Sequence, residues 1–296
     1  MIITLQLELI VIAMMAAVAC CLPGVFLVLR GVAMMSDAIS HAILLGIVVM
    51  FLMIQKLHSP LLLVGATIAG IATVVCTEKI IRSKRLKQDA AIGLIFPLFF
   101  SVGVILISQY ARNVHLDVDM VLVGELALAP FNRCVIAGID CGPYALWVVS
   151  AALLLNMIFV RLFYKELVIT TFDATLATMT GFSPAIFYYA LMIMTSITAV
   201  ATFDVVGSIM VVALMITPAA TAYLLTRRVP DMLMASVFIA LCSSIAGYAV
   251  AYYADVSIAG SIASMTGVFF VMGLLFRKAV TCGLLTSFCV ISRNLL

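Results

Sequence analysis

The 296 residues are 66% hydrophobic and only 10% charged, against about 45–50% and about 25% in a soluble domain, so too few charges exist to coat a water-facing surface. Disorder is excluded by the same apolar excess, and the apolar runs are continuous rather than alternating as in barrel strands, which points to an all-α, polytopic helical membrane protein. The net charge of +3 comes without a basic stripe interleaved with aromatics, so no nucleic-acid partner is indicated.

A helix needs about 20 apolar residues to cross the hydrocarbon core. In chain order, the qualifying runs are Leu9 to Leu29, Ala38 to Gln55, Ser59 to Thr77, Ala90 to Ala111, Gly142 to Val160, Ala174 to Phe203, Val205 to Thr226, Met232 to Ala254 and Val256 to Phe276. The first is too long for a signal-peptide core and lacks a basic leader, so it counts as a span. The second is interrupted only by His41. In the run from Ala174, the helix is expected to start at Pro184, because proline fits a first turn. The total is nine spans, or eight if one is re-entrant. Residues 1–278 read as one transmembrane domain. Residues 279–296 form an apolar tail, too short to span easily and suited to an interfacial helix. There is no internal repeat.

Lys and Arg placement sets the orientation. With the Arg82–Lys87 loop inside, nine alternating spans put Arg30, Lys79, Arg82, Lys84, Arg85, Lys87, Arg161, Lys165, Arg227, Arg228, Arg277, Lys278 and Arg293 inside. Only Lys56, Arg112 and Arg133 fall outside. The N-terminus then lies outside and the C-terminus inside. Asn113 to Pro143 forms an external segment whose Gly124-Glu125-Leu126 is expected to dip back toward the membrane. Thr170 to Ser183 forms an internal segment expected to hold a short helix along the surface.

Ser36-Asp37-Ala38-Ile39-Ser40-His41 is the first constellation with chemical content. Asp at mid-membrane costs about 2.5–3.5 kcal/mol on insertion scales. Asp37 and His41 stand four apart, so on a helix they share a face. A carboxylate and an imidazole make half a site for a divalent metal. Alternatively, Asp37 caps the helix start and His41 bonds to a neighbouring helix; spacing leaves both open. Tetrahedral zinc wants four ligands, and a two-fold dimer would supply the pair twice.

Phe172-Asp173-Ala174-Thr175-Leu176-Ala177-Thr178-Met179-Thr180-Gly181 is the second. Asp173 reads as an N-cap and Gly181 as a helix stop, giving either a docking helix or an ordinary connection. The third runs from Val206-Gly207 to Pro218-Ala219-Ala220-Thr221-Ala222. Its small residues, Gly207 among them, suit close packing, and Pro218 should kink the helix.

The remaining signals are weaker. His58 and His115 read as lone solvated histidines, and Asp117 and Asp119 as polar loop surface. The eight cysteines include no CxxC pair, against a zinc ribbon or thioredoxin-type site. Cys134 and Cys141 fall in the external segment, where a disulfide could persist; free thiols are the preferred reading, because spacing alone does not fix pairing. No GxxxxGK[ST] or GxSxG motif is present, so there is no recognisable ATP site, and the Asp37–His41 pair lacks a general acid/base glutamate nearby, which sets aside a membrane-embedded hydrolase and leaves the chain read as no enzyme.

Together, the Arg30-Gly31 turn leading to Ser-Asp-Ala-Ile-Ser-His, the Phe-Asp…Ala…Gly segment and the Val-Gly…Thr-Pro-Ala-Ala-Thr-Ala helix resemble the permeases of bacterial ABC importers for zinc, manganese and iron, from about Leu9 to Phe276. The resemblance implies a fold similar to the vitamin B12 and siderophore importers. It implies no permanent cofactor, a transported manganese or zinc ion with iron as a third option, and a site in the bacterial cytoplasmic (inner) membrane, crossed many times. Its implied partners are cytoplasmic ABC ATPase subunits, an extracytoplasmic metal-binding protein, a second permease subunit in a homo- or heterodimer, and membrane lipid. Asp37 and His41 map to the metal site; Phe172, Asp173, Ala177 and Gly181 map to the coupling helix. The competing reading is a stand-alone secondary metal transporter in which Asp37 and His41 relay protons.

Overall fold

The computed structural model describes residues 2–55, 61–110, 126–136 and 139–293. Four helices come first: α1 (Ile2–Leu29), α2 (Met34–Ile54), α3 (Leu61–Arg82) and α4 (Gln88–Tyr110). A 3₁₀ turn (Leu126–Phe131) and the strands β1 (Arg133–Ile136) and β2 (Ile139–Pro143) follow. The rest is α5 (Tyr144–Leu162), α6 (Tyr164–Phe172), α7 (Ala174–Met179), α8 (Pro184–Val206), α9 (Ser208–Leu225), α10 (Val229–Ala254) and α11 (Ile258–Arg293). Among the described residues, nine helices are long and apolar enough to cross a membrane. Each coincides with one of the runs read from the sequence.

Lipid offers no partner for a free backbone amide, so helices are the natural spanning element. Helix α1 is the centre of the bundle. Ile12, Ala13, Ala16, Ala17, Cys20, Cys21, Val25 and Phe26 are all fully buried, and a helix apolar all round is a helix buried all round. It packs on α5, α8, α9 and α10. Asn156 of α5 ties three of these together: its Nδ2 donates to Thr198 Oγ1 of α8 at 2.6 Å and to the Ala19 carbonyl of α1 at 3.1 Å. Such bonds between membrane helices contribute roughly 0.6 kcal/mol each on average.

Helix α2 lies against α3 and α4. The α2–α3 approach is backbone to backbone: a Cβ on Gly46 would stand 2.3 Å from the Gly65 carbonyl oxygen, and one on Gly65 would stand 2.7 Å from the Gly46 oxygen. Small residues permit this contact, and in lipid the packing gained is a main driving force for helix association.

Among the described residues, the exception to helix is the antiparallel hairpin β1–β2, which pairs Arg133 with Pro143 and Val135 with Asp140. Valine and isoleucine at 135, 136 and 139 favour extended backbone. Because Gly142 and Pro143 belong to β2, the fifth span starts at Tyr144, two residues later than its apolar run. Gly124 and Glu125, His58, His115, Asp117 and Asp119 lie outside the described residues, as do the side chains of Cys134 and Cys141. The apolar tail continues α11 as helix to Arg293.

Candidate metal site and docking helix

Helix α2 opens without a side-chain cap; its N-cap residue is Ala33. Asp37 therefore does not cap the helix start; it lies in the first turn, where the helix dipole favours an acid. His41 Nε2 stands 3.4 Å from Asp37 Oδ1. Around the pair, Met35, Ser36, Ala38, Ile39, Ser40, Ala42, Ile43 and Leu44 are buried. Ser36 and Ser40 turn their hydroxyls back onto the Ala33 and Ser36 carbonyls. The Asp37 and His41 side chains remain 30% and 29% exposed, on a more open stripe with Met34 and Val49, both exposed.

The imidazole is held from the side by α4. Its ring centre lies 5.3 Å from Phe96 and 5.8 Å from Phe100, the latter edge to face. Two aromatic contacts restrict its rotation without using a nitrogen. The pair thus offers one carboxylate and one imidazole through an open face. Among the described residues no cluster of three His, Cys, Asp or Glu completes a metal site within one chain. Two donors are too few for zinc or manganese, so a metal held here would need further ligands from outside this pair.

The second predicted constellation forms a short capped helix. Asp173 is the N-cap of α7: its Oδ1 accepts from the Thr175 amide at 3.0 Å and the Leu176 amide at 2.9 Å. Gly181 closes the turn with φ +88°, and the Phe182 amide donates to the Ala177 carbonyl at 2.9 Å. Ala177 is buried against the bundle, while Phe172 is 63% and Met179 80% exposed, with Leu176 also exposed. Leu176 and Met179 did not stand out in the sequence; their place three apart on a capped helix was the available signal.

Of the third constellation, Gly207 stands between two helices. Its φ of +80° and ψ of 164° are open to glycine but costly for a side chain, so this single residue both ends α8 and begins α9. Pro218 lies inside α9 and is buried; lacking an N–H, it leaves the Leu214 carbonyl without its helical donor. At the same end of the bundle as Gly207, a cavity of about 220 Å³ is lined by Asn132, Tyr144, Val148, Asp204 and Leu63. Asp204 carries one signal in the sequence, an acid dividing two long apolar runs.

The description of the ABC 3 transport family matches residues 3–277. The zinc transport system membrane protein TroD of Treponema pallidum is 47% identical over 92% of this chain and 74% of its own length. The manganese transport system membrane protein MntD of Bacillus subtilis is 43% identical over 90% of each. Among solved structures, PsaBC from Streptococcus pneumoniae in complex with Fab superposes with a TM-score of 0.74 at 27% identity, covering 90% of this chain and 89% of that one. The chain is a multi-pass membrane protein and belongs to the ABC 3 transport family.

Proposed function

We propose that this chain is the permease subunit of an ATP-driven importer of divalent transition metal ions, manganese or zinc with iron as a third option, and that two permease subunits form the pathway between them. One observation carries the reading: a carboxylate and an imidazole, 3.4 Å apart, sit on the open face of a membrane helix whose opposite face is buried. Intramembrane ionisable groups are expensive and mark ion pathways. Two subunits facing each other would offer two carboxylates and two imidazoles. With bidentate carboxylates that set reaches six donors, which suits manganese, while monodentate binding suits zinc. The relatives named for zinc and for manganese support either cargo.

Helix α7 supports coupling to a separate ATPase. A six-residue helix capped at both ends, with Phe172, Leu176 and Met179 exposed at the lysine- and arginine-rich end of the bundle, suits a groove on a partner. The distribution of Lys and Arg supports a cytoplasmic position for that end, in keeping with a permease of the bacterial cytoplasmic (inner) membrane. An extracytoplasmic binding protein would deliver metal to the opposite end, where Asp204 lines the cavity. The test is uptake by proteoliposomes holding this chain with a co-purified ATPase. Metal import that requires ATP supports the reading; import by this chain alone, driven by a proton gradient, supports the secondary-transporter reading instead.

A further inference from the structure

Arg30, at the end of α1, reaches sideways to α6. Its Nε donates to Thr171 Oγ1 at 3.0 Å and its Nη2 to Thr170 Oγ1 at 2.9 Å. One planar group thus grips two successive hydroxyls from two nitrogens in a fixed fork, a geometry that an ammonium's single nitrogen does not reproduce. Both hydroxyls spend their own protons on the α6 backbone, Thr170 on the Glu166 carbonyl and Thr171 on the Leu167 carbonyl. Donor and acceptor are therefore both used, and the threonine rotamers are fixed. Among the described residues no carboxylate forms an ion pair with Arg30. Its hold on α6 rests on two hydrogen bonds to neutral hydroxyls rather than on an ion pair.

The two ends of this contact lead to the two sites. Thr170 and Thr171 are followed by Phe172 and then by Asp173, the N-cap of α7. Arg30 is followed by Gly31, at φ +69°, in a tight helix end: the Val32 amide donates to the Leu27 carbonyl and the Gly31 amide to the Val28 carbonyl, each at 3.0 Å. The chain then enters α2 directly, with the Met35 amide on the Val32 carbonyl at 2.9 Å, and Asp37 lies in its first turn. Gln88, the first residue of α4, donates from Nε2 to the Gly31 carbonyl at 3.2 Å, and α4 carries the two phenylalanines beside His41. One knot of polar contacts therefore joins the docking helix to both helices that position the metal pair.

We propose that the Arg30–Thr170/Thr171 contact is the link through which movement of α7 reaches the Asp37–His41 pair. Arg30 is a positioning residue here, since it touches no cargo. The inference rests on the permease reading above. A purely structural tie would affect assembly and stability; a transmission link affects the number of metal ions imported per ATP hydrolysed.

The experiment measures that ratio in proteoliposomes holding the full complex: this chain, its ATPase and its binding protein. Arg30→Lys keeps the charge but loses the fork. The double variant Thr170→Val, Thr171→Val keeps shape but loses both acceptors. Each should assemble and hydrolyse ATP within roughly twofold of the parent, while ions per ATP fall by roughly 2- to 30-fold. Combining all three changes should cost no more than either alone, because they cut one link. An unchanged ratio, uptake and hydrolysis falling in step, or additive losses would each overturn the proposal. If Arg30→Lys does not assemble, the threonine variant, which leaves the arginine in place, decides. Uptake by the parent complex that needs no ATP would instead overturn the permease reading itself.

Discussion

His41 Nε2 faces Asp37 Oδ1 at 3.4 Å across one turn of α2, and the pair remains partly open where its neighbours along the helix are buried. That contact is long for a charge-assisted hydrogen bond, which prefers about 2.7–2.9 Å. It leaves lone pairs on both groups available to a cation entering from the open face.

If the pair holds the cargo, Asp37→Ala and His41→Ala should each reduce metal uptake to background, while the complex still assembles and its ATPase still runs. Both side chains are partly exposed, so truncation leaves no sealed cavity behind. Isotope uptake beside size-exclusion elution of the complex checks this; normal uptake by either variant places the cargo site elsewhere.

The phenylalanines of α4 should tune the same site. Replacing Phe96 and Phe100 together by alanine frees the imidazole from contacts at 5.3 and 5.8 Å. Losing groups that orient a ligand typically costs roughly 10- to 100-fold in metal affinity. The half-saturating metal concentration should rise within that range, with a smaller change in maximal rate. A changed maximal rate at constant half-saturation would argue for a role in the conformational step instead.

Much of this arrangement was legible in the sequence. Every span was visible because lipid demands long apolar runs, and Asp37, His41 and Asp173 stood out because ionisable groups interrupt them. Long-range geometry was not legible. That Gly46 and Gly65 touch, that Phe96 and Phe100 flank His41, and that Arg30 grips Thr170 and Thr171 all depend on how α2 sits between α3 and α4 and on how α1 meets α6. Gly207 reads from sequence as packing within one helix, because Val206 to Ala222 carries no charge; only its backbone angles show it between two.

The capped helix α7 gives a graded test. Asp173→Ala removes the carboxylate oxygen that accepts from two amides of its first turn, at a cost of about 1 kcal/mol. Gly181→Val forces a β-branched residue to φ +88°, costing roughly 1–2 kcal/mol. Met179→Glu changes only the exposed face. All three should weaken co-purification of the ATPase and lower uptake, and Met179→Glu should do so without lowering thermal stability. Intact ATPase binding by Met179→Glu would remove this face from the interface.

Two glycines separate packing from propensity. Gly46→Ala would place a methyl 2.3 Å from the Gly65 carbonyl, and overpacking of this kind typically costs about 1–3 kcal/mol. Gly93→Ala meets nothing within 4 Å in this chain and gains helix propensity of roughly 0.8–1 kcal/mol. In detergent, thermal unfolding of the isolated chain should fall for the first and hold or rise for the second. If Gly93→Ala is stable alone but blocks pairing of two permease subunits, that face of α4 is covered in the dimer.

The most direct test of the central claim is uptake of isotopic manganese or zinc into proteoliposomes containing this chain, its ATPase and its binding protein, with ATP inside or outside the vesicle. The account predicts import only when ATP is on the side of the membrane that α7 faces, abolished by His41→Ala with hydrolysis retained. Import without ATP, or import that survives the loss of His41, would contradict it.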